Sequence, residues 1–152
     1  MWYALSAVLI YPHFLSYFNE LAGGPQHGYT ILADSNIDWG QDLKALAEYR
    51  RAHPEGTLYL SYFGTALPQY YGLEAEMLPG FSLPWTTQAR NRQFVPFRQI
   101  PAGSLVAISV SNLAGLYPRI YGLPGTDEFL QRLQKMEPVA RIGYSINVYR
   151  LE

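Results

Sequence analysis

The chain has 152 residues, 49% of them hydrophobic, with a formal net charge of -1 and no cysteine. That is enough apolar material for one domain with a sizeable core, and it excludes a disordered tail. Near-neutral charge without a basic block excludes a nucleic-acid footprint, and the absence of cysteine excludes disulfides, zinc–thiolate sites and a cysteine nucleophile.

The chain opens on "MWYALSAVLIYP", apolar from Trp2 to Tyr11. A bilayer span needs about 20 apolar residues, so the run is too short to cross. It also lacks the basic start and small-residue cleavage site of a signal peptide. Taken alone, it reads as a core helix. Residues 13–22, "HFLSYFNELA", space Phe14, Leu15, Phe18, Leu21 and Ala22 along one helix face. Gly23, Gly24 and Pro25 then stop that helix. "YTILA", 29–33, reads as a short strand, and residues 41–53 as a helix with acid at its start and base at its end.

"TLYLSYF", 57–63, is the clearest strand. "TALPQYYGL" reads as a short helix or turn leading into "EAEMLP", and 80–101 as a long irregular excursion rich in proline. "SLVAISVSN", 104–112, reads as a central strand. Thr126 is placed to cap a helix over 127–136, and 140–151 reads as a final strand. Strands alternating with helices predict an α/β class: a three-layer, mostly parallel sheet with helices on both faces and an antiparallel edge strand. Residues 13–152 form the single α/β domain of this reading.

The polar stretch "DSNIDWGQDL", 34–43, holds the candidate site. It would lie at the carboxyl end of the 29–33 strand, where open α/β sheets bind ligands. A structural use competes with that. Asp38 and Gln41 have the spacing of a capping box, and Asp42 would sit in the first helical turn. Asp34, Asn36 and Trp39 are harder to explain as a joint. The candidate ligand-binding residues are therefore Asp34, Asn36, Asp38, Trp39 and Gln41. The spacing 34, 36, 38 mimics the start of an EF-hand loop, but the required glycine and closing glutamate are missing, so no metal is expected.

His13, His27 and His53 lack metal-binding spacing. Ser109, Ser111 and Asn112 end a strand without a G-x-S-x-G elbow, and no glycine-rich phosphate loop occurs. Tyr62, Tyr70 and Tyr71 could line a cleft, although core packing is the commoner use. No cofactor is expected.

"YPHFLSYFNELAGGPQHGYTILADSNIDWGQDLKAL" resembles the start of the soluble C-terminal region of bacterial lipid-carrier-dependent membrane glycosyltransferases, of the protein O-mannosyltransferase-like type. The similarity continues, more loosely, through "SYFGTALPQYYGL", "LVAISVSNLAGLY" and "EPVARIGYSINVYRL". Residues 73–103 carry no matching motif. The resemblance implies a protein with many membrane helices that transfers a sugar from a polyprenyl-phosphate donor on the extracytoplasmic face. Its catalytic acid lies in an early loop that this chain does not contain, so the resemblance implies a non-catalytic domain held at the membrane by a missing transmembrane region. Residues 1–12 would then be the end of a membrane helix, which reverses the core-helix reading. The domain would bind acceptor or donor sugar through the 34–42 loop, act as a lid, or stabilise the membrane part.

Two rival readings remain. One is a stand-alone enzyme or carbohydrate-binding protein using the 34–42 loop, with Asp34 and Asp38 as an acid/base or metal pair. The other is a protein-interaction module built on 79–101.

Overall fold

The computed structural model describes residues 2–19, 21, 23–32, 37–80, 94–115, 117–121 and 123–152. Its centre is a five-stranded mixed sheet of order β2-β1-β3-β5-β4. The strands are β1 (Leu58–Ser61), β2 (Glu76–Met77), β3 (Leu105–Ser109), β4 (Ala140–Ile142) and β5 (Ile146–Arg150). β1 pairs in parallel with β2 and β3, and β5 pairs antiparallel with both β3 and β4. The α/β class, the central place of β3 and the antiparallel edge all agree with the sequence. The expected single strand over 140–151 is instead the β4–β5 hairpin, turned at residues 143–145. Gly143, at φ 55°, supplies the left-handed conformation such a turn needs.

Alternation along the strands divides the core into two layers. Leu58 and Leu60 of β1, Leu105 and Ala107 of β3, and Ile146 and Val148 of β5 face one side. There they meet Leu43, Leu46 and Ala47 of helix α2 (Leu43–Ala52). Tyr59, Val106, Ile108 and Tyr149 face the other side, against Leu130 and Leu133 of helix α4 (Thr126–Gln134) and Phe97. All five residues of β3 are buried, as a strand covered on both faces requires. Leu60 lies in β1, between the two parallel neighbours, with no exposed surface. Leu60→Ala is therefore expected to lower unfolding free energy by about 2–5 kcal/mol, read as a fall in the urea midpoint at unchanged slope.

Three sequence expectations are corrected. Residues 29–33 are not a strand: Gly28–Thr30 forms a 3-10 turn, and Ile31 and Leu32 are exposed. The Thr30 hydroxyl donates back to the His27 carbonyl at 2.8 Å, a local bond that favours the turn over a ladder. Residues 13–22 are not a continuous helix, since only Phe14–Ser16 makes a 3-10 turn. Buried Ser16 donates to the Ile37 carbonyl at 3.1 Å, which anchors the segment by a polar group rather than an apolar face. Thr126 does not cap α4. Gly125 is the N-cap, and the Thr126 hydroxyl donates to the Leu123 carbonyl.

Helix α1 spans Trp2–Ile10. No helix among the described residues is long and apolar enough to cross a membrane. Short helix α3 (Val110–Leu113) follows β3 directly. Much of the 80–101 excursion, residues 81–93, lies outside the described residues.

Candidate functional site

The polar loop does sit at the carboxyl end of the sheet, although the strands that place it there are β1 and β3 rather than 29–33. Asp38 Oδ1 accepts the Gly40 N–H at 2.8 Å, closing an Asx-type turn. Gln41 holds the same turn from both sides: its Oε1 accepts the Trp39 N–H at 2.8 Å and its Nε2 donates to the Ile37 carbonyl at 3.1 Å. Neither residue forms the expected capping box. Helix α2 starts later, at Leu43, with Asp42 as its N-cap and no side-chain cap bond. The local bonds of Asp38 and Gln41 are spent inside the turn, so the helix cannot begin there.

Gly40 carries φ 79°, and an added Cβ would lie 2.0 Å from the Tyr62 hydroxyl. Tyr62, just past β1, thus packs directly on the loop and donates to the Gly40 carbonyl at 3.4 Å. Trp39 is 57% exposed and meets Phe63 edge-on, with ring centroids 6.1 Å apart. Phe63 in turn packs on Tyr117 at 5.1 Å. The exposed indole thus meets Phe63, which is itself backed by Tyr117.

Beneath it the site is polar and buried. Asp38 has no exposed surface. Burial raises its pKa to about 7, and the Asp42 charge adds to the rise, while bonds from the Gly40 N–H and the Ser109 hydroxyl oppose it. Burial, followed by the Asp38 charge, also raises the Tyr62 phenol, which stays a proton donor. Ser109 Oγ accepts the Phe63 N–H at 3.0 Å and so ties the ends of β1 and β3 together. Asn112 Nδ2 donates to Ser61 Oγ at 3.1 Å, and Ser61 donates to the Pro79 carbonyl at 2.6 Å. Asp38 Oδ2, Ser111 Oγ and Asn112 Oδ1 are buried without a hydrogen-bond partner among the described residues. Three such atoms at one end of a sheet call for a physical reason, and a polar ligand is one.

Asp42 belongs to a neighbouring cluster. Its Oδ2 accepts the Ser145 hydroxyl at 2.7 Å, and its Oδ1 lies 3.6 Å from His13 Nδ1. Its carboxylate is therefore engaged by side chains as well as standing at the helix start.

Of the sequence candidates, the structure brings Asp38, Trp39 and Gln41 together, with Gln41 as scaffold. Asp34 and Asn36 lie outside the described residues. Tyr62 is core, as its residue type suggests, while Tyr70 is exposed. Phe63, Ser111, Asn112 and Tyr117 were not expected as site members. For Ser111 and Asn112 the signal was the polar break "SVSN" at the end of an apolar strand; Phe63 and Tyr117 had none. No group of three metal-ligating side chains occurs among the described residues. Comparison with protein-family models, with curated proteins and with solved structures finds no match.

Proposed function

We propose that the chain is the extracytoplasmic domain of an integral-membrane glycosyltransferase that uses a polyprenyl-phosphate sugar, and that its part is to hold a sugar rather than to transfer it. The observation that carries the sugar reading is the exposed Trp39 indole, packed edge-on against Phe63, beside the buried Asp38 carboxyl. Aromatic faces pack against the apolar faces of sugar rings, and a few convergent polar groups fix orientation. The assignment to a glycosyltransferase rests on the resemblance of residues 11–46.

Calorimetric titration of the chain with free hexoses and soluble polyprenyl-phosphate hexose analogues tests this reading. Saturable heat is expected with at least one of them. Trp39→Ala should weaken it by about tenfold or more, with melting temperature unchanged because the side chain is largely exposed. Absence of heat with every probe would overturn the sugar reading.

The raised Asp38 pKa favours one alternative, a self-standing acid–base enzyme. Asp38→Asn separates the two. An amide can still hydrogen-bond a sugar hydroxyl, so binding survives in a holding site, whereas proton transfer is lost in a catalytic one.

A further inference from the structure

Asp42 is a buried acid that the sugar site does not use. It stands at the start of α2, and two distant parts of the chain close on it. From the β4–β5 turn, the Ser145 hydroxyl donates to Oδ2 at 2.7 Å. A Cβ on Gly143 would collide with the same oxygen, so that turn lays its backbone directly on the carboxylate. From the amino-terminal segment, His13 Nδ1 stands 3.6 Å from Oδ1. That is within ion-pair range but longer than a hydrogen bond, so the contact is one of charge. The His13 side chain is 30% exposed, and its ring meets Tyr144 edge-on with centroids 5.3 Å apart.

His13 is one half of a clasp. Three residues on, the buried Ser16 hydroxyl donates to the Ile37 carbonyl at 3.1 Å. The two contacts hold both ends of the 37–42 loop, and Asp38 and Trp39 lie between them.

Charge links the clasp to the site. The Asp42 charge disfavours a second charge on Asp38, as a like charge nearby must. The other groups that act on Asp38 are the Gly40 N–H and the Ser109 hydroxyl, and the Tyr62 phenol feels its charge. None of these is a cation. Residues 2–19 contain no Lys or Arg, so His13 is the one side chain of that segment that can become positive. Histidine makes that change between about pH 5 and pH 8. An imidazolium beside Asp42 offsets its charge and relieves Asp38, whereas a neutral ring does not.

We propose that His13 is a positioning residue of the site: it holds the 37–42 loop through Asp42, and its charge decides the form, acid or carboxylate, in which Asp38 meets a ligand. The identity of that ligand rests on the sugar reading; the coupling of His13 to Asp38 does not.

The test is a 13C titration of the Asp38 carboxyl in the labelled chain from about pH 4 to pH 9. His13→Gln cannot be charged and should raise the Asp38 midpoint by about half a unit. His13→Lys stays charged and should lower it by about as much. Opposite shifts from two substitutions at one position are not what lost packing produces. His53→Gln, at the exposed far end of α2, should leave the midpoint in place. In the unmutated chain the curve should already be broader than a single-site titration. A single-site curve there would overturn the proposal. So would a midpoint that both His13 variants move the same way, or that neither moves. Coupling without any sugar heat would leave the role of His13 standing and sink the sugar reading. Sugar heat with an unresponsive Asp38 would do the reverse.

Discussion

Asp38→Asn is expected to stabilise the chain above neutral pH and to flatten its stability profile. The folded-state pKa of Asp38 is raised to about 7 from 3.8, with burial as the main cause. Between those values the folded chain holds a proton that the unfolded chain has released. Stability is therefore greatest below the unfolded value and is lost as pH rises through the folded one, the reverse of a salt-bridged aspartate. A shift of about three units corresponds to at most about 4 kcal/mol. Asparagine carries no charge, and its Oδ1 can still accept the Gly40 N–H. Urea unfolding of both proteins from about pH 4 to pH 8 checks this. The wild-type midpoint should fall across that range and the variant's should not. Parallel curves would show that the Asp38 carboxyl is solvated in the folded chain.

Gly40→Ala should be the most damaging single-methyl change in the loop. The left-handed backbone at φ 79° costs an alanine about 1–2 kcal/mol. The new Cβ would also stand 2.0 Å from the Tyr62 hydroxyl and 2.6 Å from its ring carbon Cζ. Tyr62 is 3% exposed, so its ring cannot swing away without opening the core. Overpacking of that kind costs about 1–3 kcal/mol more. A combined loss of about 2–5 kcal/mol is expected in urea unfolding, together with loss of any sugar heat. Unchanged stability would mean that Tyr62 does not close on the loop. Gly56→Ala is the matching control: its φ is 68°, but the nearest atom to a new Cβ is 3.8 Å away, so only the backbone cost should appear.

Sequence pattern identified the elements that pack by periodicity. β1, β3, α2 and α4 each carry apolar residues at the spacing of their own type, and all four occur where that spacing predicts. The pattern failed at the amino-terminal third. "YTILA" has strand composition, but Gly28–Thr30 forms a 3-10 turn and Ile31 and Leu32 are exposed, with the Thr30 hydroxyl bonded back to the His27 carbonyl. The single strand read over 140–151 hid a hairpin, since Gly143 was its only turn signal. In the site, Asp38 and Trp39 were visible as an unusual pairing in a polar loop. Their meaning was not, because it depends on Phe63, Ser109 and Tyr117, which fold in from 24 to 78 residues further along. Burial, which moves the Asp38 pKa, is likewise a property of packing rather than of spacing.

The claim that the carboxyl end of the sheet holds a sugar is tested most directly by mapping where a sugar touches. Amide and indole proton shifts of the isotopically labelled chain would be recorded while a hexose or a soluble polyprenyl-phosphate hexose analogue is added. The account predicts saturable shifts at the Trp39 indole N–H and at the Gly40, Phe63, Ser111 and Asn112 amides, with the α4 face undisturbed. No shifts with any probe, or shifts confined to another surface, would contradict it.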